Sequence, residues 1–244
     1  MRALLLAAGL GTRLRPITNT TPKCLVKING RPLLDYWIEL LAAGGIGDIL
    51  VNTHYMAEVV EAHVGTQRCS ANITTVFEER LLGTAGTALR NRSFFGEEPF
   101  MLVHADNLSL FDPKAFIKRF ENGGAQIDLT LMTFRTDAPE SCGIVALDKD
   151  GIVQEFYEKP KVWRGNLANA AVYILSQRVI DFIETLGKNE VDFSTEVLPH
   201  FTGRMNTFHN DIYHRDIGTA ESLAAAQVEY PMAAARAQFK PVSQ

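Results

Sequence analysis

The first 125 residues alternate short apolar runs with stretches of helical periodicity, and this pattern constrains the fold most. Ala3–Ala7, Ile49–Asn52, Ile73–Phe77 and Phe100–Val103 read as buried strands. Between them, Pro32–Ala43 carries Leu33, Leu34, Trp37, Ile38 and Leu41 at helical spacing, with proline at its start and Gly44-Gly45 at its stop. Ala57–Val64, a segment from Thr84 to about Arg92, and one from Asp112-Pro113 to about Phe120 complete the set. Thr84 is expected to cap its helix. Strands separated by helices imply right-handed crossovers and a parallel sheet with both faces covered.

The rhythm changes near residue 125. Ile127–Phe134, Gly143–Leu147, Val153–Tyr157 and Ala170–Leu175 read as strands, with a hairpin turn at Asp148–Gly151. Ser176 is expected to cap a helix to about Leu186, and Ser194 a shorter one. An alanine-rich helix is expected from Thr219 until Pro231 stops it, with a frayed tail over 231–244 that includes Pro241. The predicted class is α/β: a Rossmann-like, mostly parallel sheet flanked by helices, with a β-rich elaboration in the second half. No linker separates the halves, so one domain over 1–244 is expected.

Composition excludes several functions. The 244 residues are 46% hydrophobic and 21% charged, with a net charge of −4, which disfavours a nucleic-acid surface. The three cysteines, Cys24, Cys69 and Cys142, lie far apart, so neither a disulfide framework nor a zinc site is expected. The apolar start is too short for a signal peptide and no run is long enough to span a membrane. A soluble cytoplasmic protein is expected, with no nucleic-acid or membrane partner.

The strongest chemical signal follows the first strand directly: Leu6-Ala7-Ala8-Gly9-Leu10-Gly11-Thr12-Arg13-Leu14-Arg15-Pro16. Glycines let backbone N–H groups approach phosphate oxygens, and ligands of open α/β sheets bind outside the carboxyl ends of the strands. The dinucleotide fingerprint fails because Leu14 replaces its third glycine, and the P-loop fails because no Gly-Lys-Ser/Thr follows. Pro16 and the polar stretch Thr18–Thr21 predict an irregular loop. Arg13, Arg15 and Lys23 repel one another unless solvated or facing an anion; a polyphosphate is an anion of suitable size.

Asp106, after Phe100–Val103, and Asp216, before Gly218, are carboxylates at element ends. If they converge they suit one hard cation such as Mg²⁺, which takes one or two carboxylates plus substrate phosphates. Glu158-Lys159-Pro160 closes a strand; it is either a solvated pair or a charged site mouth. Asn166 and Asn169 could bind sugar hydroxyls or serve as turn residues. Leu82-Gly83-Thr84 precedes a helix, and Gly83 could let a flat base lie against the backbone. The six histidines, among them His104 and His214, show no metal-ligand spacing and read as structural or surface residues. No Ser nucleophile elbow occurs.

In this order, Leu6–Leu14, Pro22-Lys23, Gly30–Leu33, Leu82–Ala85, Ala105–Asn107, Glu158–Pro160 and Asp216–Thr219 resemble the sugar-1-phosphate nucleotidyltransferases, or nucleotide-sugar pyrophosphorylases. The resemblance covers about residues 2–220. It implies an enzyme of nucleotide-sugar biosynthesis that transfers a nucleoside monophosphate from an NTP to a sugar 1-phosphate and releases pyrophosphate. By that likeness, Leu6, Ala8, Gly9, Gly11, Thr12 and Arg13 hold the triphosphate, and Arg13 and Lys23 are the catalytic cations. Leu82 and Gly83 line the base pocket, and Asp106 serves both nucleotide and metal; the Glu78-Glu79 pair beside that loop adds Glu79 as a candidate nucleotide-binding residue on its own chemistry. Asn107, Gly143, Glu158, Lys159 and Asn169 bind the sugar phosphate, and Asp106 with Asp216 holds Mg²⁺. About 1–125 then forms the nucleotide half, and about 126–220 the sugar half with the second metal aspartate. Relatives are often dimers or tetramers, so a homo-oligomer is an expectation of the likeness.

Two departures bear on these expectations. Cys24 stands where many relatives have proline after the lysine. The chain also ends without the left-handed β-helix of larger relatives, which argues against an added acetyltransferase. Asp192–Pro199 resembles a segment frequent among hexose-1-phosphate nucleotidyltransferases. Glu78-Glu79, just before the base loop, tilts the base towards guanine, whose N1–H and N2–H a carboxylate can accept together. The expected substrates are therefore GTP with a mannose- or heptose-type 1-phosphate. UTP or dTTP with glucose- or muramic-type acceptors, a cytidylyltransferase for a non-sugar phosphate, and a non-catalytic regulator stay open as alternatives.

Overall fold

The computed structural model describes residues 1–238. Strand β1 (Arg2–Leu6) leads through an irregular stretch to the two-residue strands β2 (Lys27–Ile28) and β3 (Arg31–Pro32). There follow α1 (Leu33–Ala43), β4 (Asp48–Thr53), α2 (Ala57–Gly65), β5 (Asn72–Phe77), α3 (Gly83–Arg90) and the short α4 (Arg92–Phe95). Next come β6 (Phe100–His104), β7 (Asn107–Leu110) and α5 (Pro113–Glu121). The second half holds β8 (Leu129–Arg135), β9 (Gly143–Leu147), β10 (Val153–Glu158), β11 (Leu167–Leu175) and α6 (Gln177–Thr185). It continues through a π-turn (Phe193–Val197) to β12 (Met205–His209), β13 (Tyr213–Asp216) and α7 (Ala220–Gln238).

The main sheet runs β10-β9-β11-β6-β1-β4-β5, with β8 joined to β11 and β12. Strands β6, β1, β4 and β5 are parallel, and β11 enters antiparallel to β6. The expected parallel half and β-rich second half therefore share one sheet. Alternation along β1 explains why it must be buried: Ala3 and Leu5 join the cluster containing α1, α2 and α5 residues, whereas Leu4 faces the cluster containing Phe95, Ile180 and Ile183. A third, smaller cluster packs Leu14, Val26, Leu108 and Ile217 against Ala226 of α7.

The expected turn forms, with Gly151 N–H donating to the Asp148 carbonyl. The expected caps do not. Thr84 lies inside α3, where its hydroxyl accepts from the Phe193 N–H at 2.8 Å. Ser176 flanks α6 without a side-chain cap bond, and Asp192, not Ser194, caps the π-turn by accepting from Thr195 N–H. Pro231 does not end α7, which runs on to Gln238. Pro231 is exposed while Leu223, Ala226 and Tyr230 pack inward, so burial of one face holds the helix through a missing N–H. The expected tail over 231–244 is thus helical to 238; Pro241 lies outside the described residues. Among the described residues no helix is long and apolar enough to cross a membrane.

Candidate active site

Register aligns the carboxyl ends of three neighbouring parallel strands. Leu6 pairs with Asn52 of β4 on one side and with His104 of β6 on the other. Beyond this line the chain departs from β1, and Asn52 Oδ1 accepts from the Ala7 N–H at 2.7 Å, fixing the first step of the glycine loop. Gly11 adopts a left-handed φ of +63°, and a Cβ there would lie 2.9 Å from Thr18 Cγ2. Thr18 also donates its hydroxyl to the Gly11 carbonyl at 2.7 Å. Short 3-10 turns follow at Thr12–Leu14, Ile17–Asn19 and Lys23–Leu25, the irregular loop that Pro16 predicted.

Two cavities open on this edge. The first, of about 230 Å³, is lined by Leu6, Ala7, Ala8, Gly9 and Lys23, by Asn52, Glu78 and Thr87, and by Leu81, Gly83, Thr84, His104 and Asp106. Its polar floor is wired together. Glu78 Oε1 accepts from Thr87 Oγ1 at 2.6 Å and from Asn52 Nδ2 at 3.1 Å, while the other oxygen, Oε2, is buried without a partner.

The base-loop expectations need correction here. Glu79 is exposed and Glu78, just past the end of β5, is the buried carboxylate of the pair, held by its backbone N–H donating to the Thr53 carbonyl at 2.9 Å and by the bonds from Asn52 and Thr87. Leu81, not Leu82, lines the cavity. Gly83 lines it as expected, but its glycine requirement has another cause. Its φ is +72° and a Cβ would collide with the Val191 carbonyl.

The two aspartates do converge. Lys23 Nζ donates to Asp106 Oδ2 at 2.7 Å and to Asp216 Oδ1 at 3.5 Å, and Arg13 lies 3.5 Å from the second oxygen of Asp216. The cause is a separate two-stranded ribbon, in which β13 pairs antiparallel with β7 and Asp216 faces Asn107. The Ile217 N–H donates to the Asp106 carbonyl at 3.1 Å, tightening that join. A Cβ at Gly218 would lie 2.5 Å from Asp216 Oδ2 and 2.7 Å from Arg13 Nη2, so a side chain there would displace those two groups. Lys23 is buried, whereas the Asp106 and Asp216 carboxylates are 42% and 51% exposed, so the cation is held from below and the oxygens face outward. Burial works to raise the Asp106 pKa, but the charge and hydrogen bond of Lys23 and the neighbouring His104 hold it below the ordinary carboxylate value.

The second cavity, of about 650 Å³, begins at Arg13, Asp106 and Asp216 and reaches Asn107, Gly143, Glu158, Lys159 and Asn169. Gly143 leaves room for β10, because a Cβ there would lie 2.6 Å from the Phe156 ring and 3.0 Å from Glu158 Oε2. Burial raises the Glu158 pKa, and Lys159, 3.5 Å away, opposes the shift. Asn169 sits where β11 bulges. Its Oδ1 accepts from the Ala171 N–H and its Nδ2 donates to the Tyr173 hydroxyl at 2.7 Å. Burial lowers the His214 pKa to about 3, so this ring, hydrogen-bonded to Ser109, is neutral.

Comparison with known proteins decides the lineage of this arrangement. The family model described as nucleotidyl transferase matches residues 2–232. The chain belongs to the nucleotidyl transferase family. Among curated relatives, the mannose-1-phosphate guanylyltransferase catalytic subunit beta of Drosophila melanogaster is 29% identical over 235 residues, 94% of this chain and 62% of that protein. The chain spans about three-fifths of the length of the curated relatives it matches. Among solved structures, a Bacillus anthracis protein described provisionally as a glucose-1-phosphate thymidylyltransferase, bound to sucrose, superposes with a TM-score of 0.84. It is 23% identical, and the match covers 100% of this chain and 98% of that one. HddC from Yersinia pseudotuberculosis, complexed with GMP-PN, gives a TM-score of 0.76 at 26% identity, with 94% of this chain and 99% of that one covered.

In this nucleotidyl transferase, several cavity residues carry no local motif. Asn52, near the carboxyl end of β4, and Thr87, inside α3, belong to the site only through register and packing. His104 and His214 carry no metal-ligand spacing in the sequence, yet both line the second cavity. Asp192 and Ser194 also line it; the resemblance of Asp192–Pro199 was their only signal. Thr12 is exposed and does not line either cavity.

Proposed function

We propose that the chain transfers guanylate from GTP to a mannose- or heptose-type 1-phosphate, forming an NDP-sugar and pyrophosphate. The observation that carries this reading is the buried Lys23, bonded to Asp106 and Asp216 where the two cavities adjoin. The guanylyltransferase names of the relatives and the GMP-PN complex of HddC support it. Glu78 favours guanine as the base: its unpartnered Oε2 can accept from guanine, where a uracil ring offers a single N–H.

A sugar phosphate oxygen is already an adequate nucleophile near neutral pH, so no general base is required. The obstacle is repulsion between two anions. In this reading the Gly9–Arg13 segment and Arg13 bind the departing pyrophosphate, Lys23 the α-phosphate, and Lys159 the sugar phosphate. Together they bring attacking and leaving oxygens into line. Glu158 and Asn169 accept and donate to sugar hydroxyls. Residues 1–125 serve the nucleotide and 126–220 the sugar, within one domain.

Asp106 and Asp216 fit Mg²⁺: both are hard oxygen donors, both reach the same Lys23 nitrogen, and both face the cavity partly exposed. When bound, Mg²⁺ neutralises charge on the phosphates it contacts. The test is pyrophosphate release measured for GTP, UTP, dTTP, CTP and ATP against a panel of sugar 1-phosphates with Mg²⁺. A dominant GTP–mannose or GTP–heptose pair is expected. Dominance of UTP or dTTP overturns the base assignment, and no release with any pair overturns the activity in favour of a nucleotide-sugar-binding protein.

A further inference from the structure

Asp106 and His104 line both cavities. Asp106 has its partner in Lys23, whereas His104 Nε2 is buried with no hydrogen-bond partner. A buried polar atom left unpaired needs a reason, because folded proteins pair nearly all of them. The neighbouring groups make the contrast plain. On one side Asn52 and Thr87 bond to Glu78, and on the other His214 Nδ1 lies 2.6 Å from Ser109 Oγ. His104, at the end of β6, is level with Leu6 and Asn52, so its backbone is fixed by two parallel neighbours.

One consequence of the functional reading and one observation say what arrives there. In that reading the phosphates face three cations, Lys23, Arg13 and Lys159, which leaves an uncharged polar group as the partner for an imidazole nitrogen. His104 also packs edge-on against Tyr173, with ring centroids 6.3 Å apart, and the Tyr173 hydroxyl accepts from Asn169, which lines the second cavity. The ring therefore belongs with the sugar side. A half-turn about Cβ–Cγ, a soft torsion, exchanges the places of Nε2 and Cε1 without moving the backbone.

We propose that His104 is a specificity-determining residue that hydrogen-bonds the hydroxyl at C2 of the sugar 1-phosphate. C2 is favoured because it adjoins the phosphorylated carbon and His104 lies two residues from Asp106. The inference rests on the functional reading above.

The test pairs a substrate change with a side-chain change. Wild type, His104→Leu and His104→Asn are assayed with the best sugar 1-phosphate and with its 2-deoxy analogue, and with GTP and 2′-deoxy-GTP. Removing the C2 hydroxyl is expected to lower wild-type kcat/KM about tenfold to a hundredfold, the size of one hydrogen bond to a buried polar group. His104→Leu loses a similar factor on the parent sugar and nothing further on the 2-deoxy analogue, while its KM for GTP stays unchanged. His104→Asn, which keeps a polar group, regains part of the discrimination. An equal penalty for the 2-deoxy sugar in wild type and His104→Leu overturns the proposal, as does coupling to the ribose hydroxyl of GTP instead. Should His104→Leu fail to fold, the Asn variant carries the comparison, and undiminished discrimination there overturns it. If the wild type turns over no pair at all, the functional reading fails and the role of His104 with it; turnover without coupling sinks only the latter.

Discussion

The two cavities that meet at Asp106 are built in opposite ways. In the first, Asn52, Glu78, Thr87 and the Ala7 N–H are bonded to one another across the strand ends and α3, leaving only Glu78 Oε2 of that carboxylate unpaired. In the second, the cations are exposed and only loosely paired: Lys159 is 63% exposed and 3.5 Å from Glu158, and Arg13 is 66% exposed and 3.5 Å from Asp216. A floor that is already hydrogen-bonded costs little to organise around a ligand, whereas exposed cations are drawn into position by the anions they bind. The difference teaches that base choice should depend on the internal wiring of the first cavity. Catalysis should depend on charges that the two cavities share.

Lys23→Ala offers the largest test of that division. It removes the one buried cation bonded to both aspartates, and kcat is expected to fall by about a hundred- to a thousandfold, with a smaller change in KM for GTP. A kcat within a few-fold of wild type, measured by pyrophosphate release, would break the claim that the shared charges do the chemistry. Glu78→Gln addresses the wiring. Discrimination for GTP over UTP is expected to drop by about tenfold, the worth of one charge-assisted hydrogen bond, while KM for the sugar phosphate holds. A loss falling on the sugar instead would reverse the comparison.

Gly83→Ala sharpens it through stability. The added methyl meets the Val191 carbonyl at a left-handed φ, so a cost of about 1–3 kcal/mol is expected, lowering Tm by roughly 2–12 °C for a domain of this size. An unchanged melting curve would show that the 189–193 segment yields more easily than its packing implies. The smallest effect is expected at Glu158. Burial raises its pKa, so its charge is lost at a higher pH than for an ordinary glutamate as the solution is acidified. Activity that needs the carboxylate then falls on the acid side, and Glu158→Gln should have lower activity but no such limb. Persistence of the limb in that variant would assign it to another group.

Much of this architecture was legible from period and punctuation. Continuous apolar runs betrayed β1, β4 and β6, because both faces of those strands are covered, whereas β5 at the sheet edge is only half-buried. The glycine loop was legible because Gly11 must take a left-handed φ that few other residues tolerate. What escaped depended on contacts made across the chain. Glu78 and Glu79 are adjacent, and bonds from Asn52 and Thr87, on other elements, hold the former inward. Pro231 carries a strong local stop signal, and packing of Leu223, Ala226 and Tyr230 overrode it. Thr84 looked like a cap and instead anchors Phe193, a partner remote in sequence. The convergence of Asp106 and Asp216 was an inference from chemistry alone, since the β7–β13 ribbon leaves no periodic mark.

That ribbon also sets an order of events during synthesis. The glycine loop, Lys23 and the wired floor of the first cavity all precede residue 100, so a nascent chain can assemble them early. Asp216 enters the site only when β13 reaches β7, long after Asp106 has left the ribosome. Until then Lys23 has one carboxylate partner instead of two. A half-made chain is therefore expected to hold nucleotide before it can react it, and the last strand to pair arms the site.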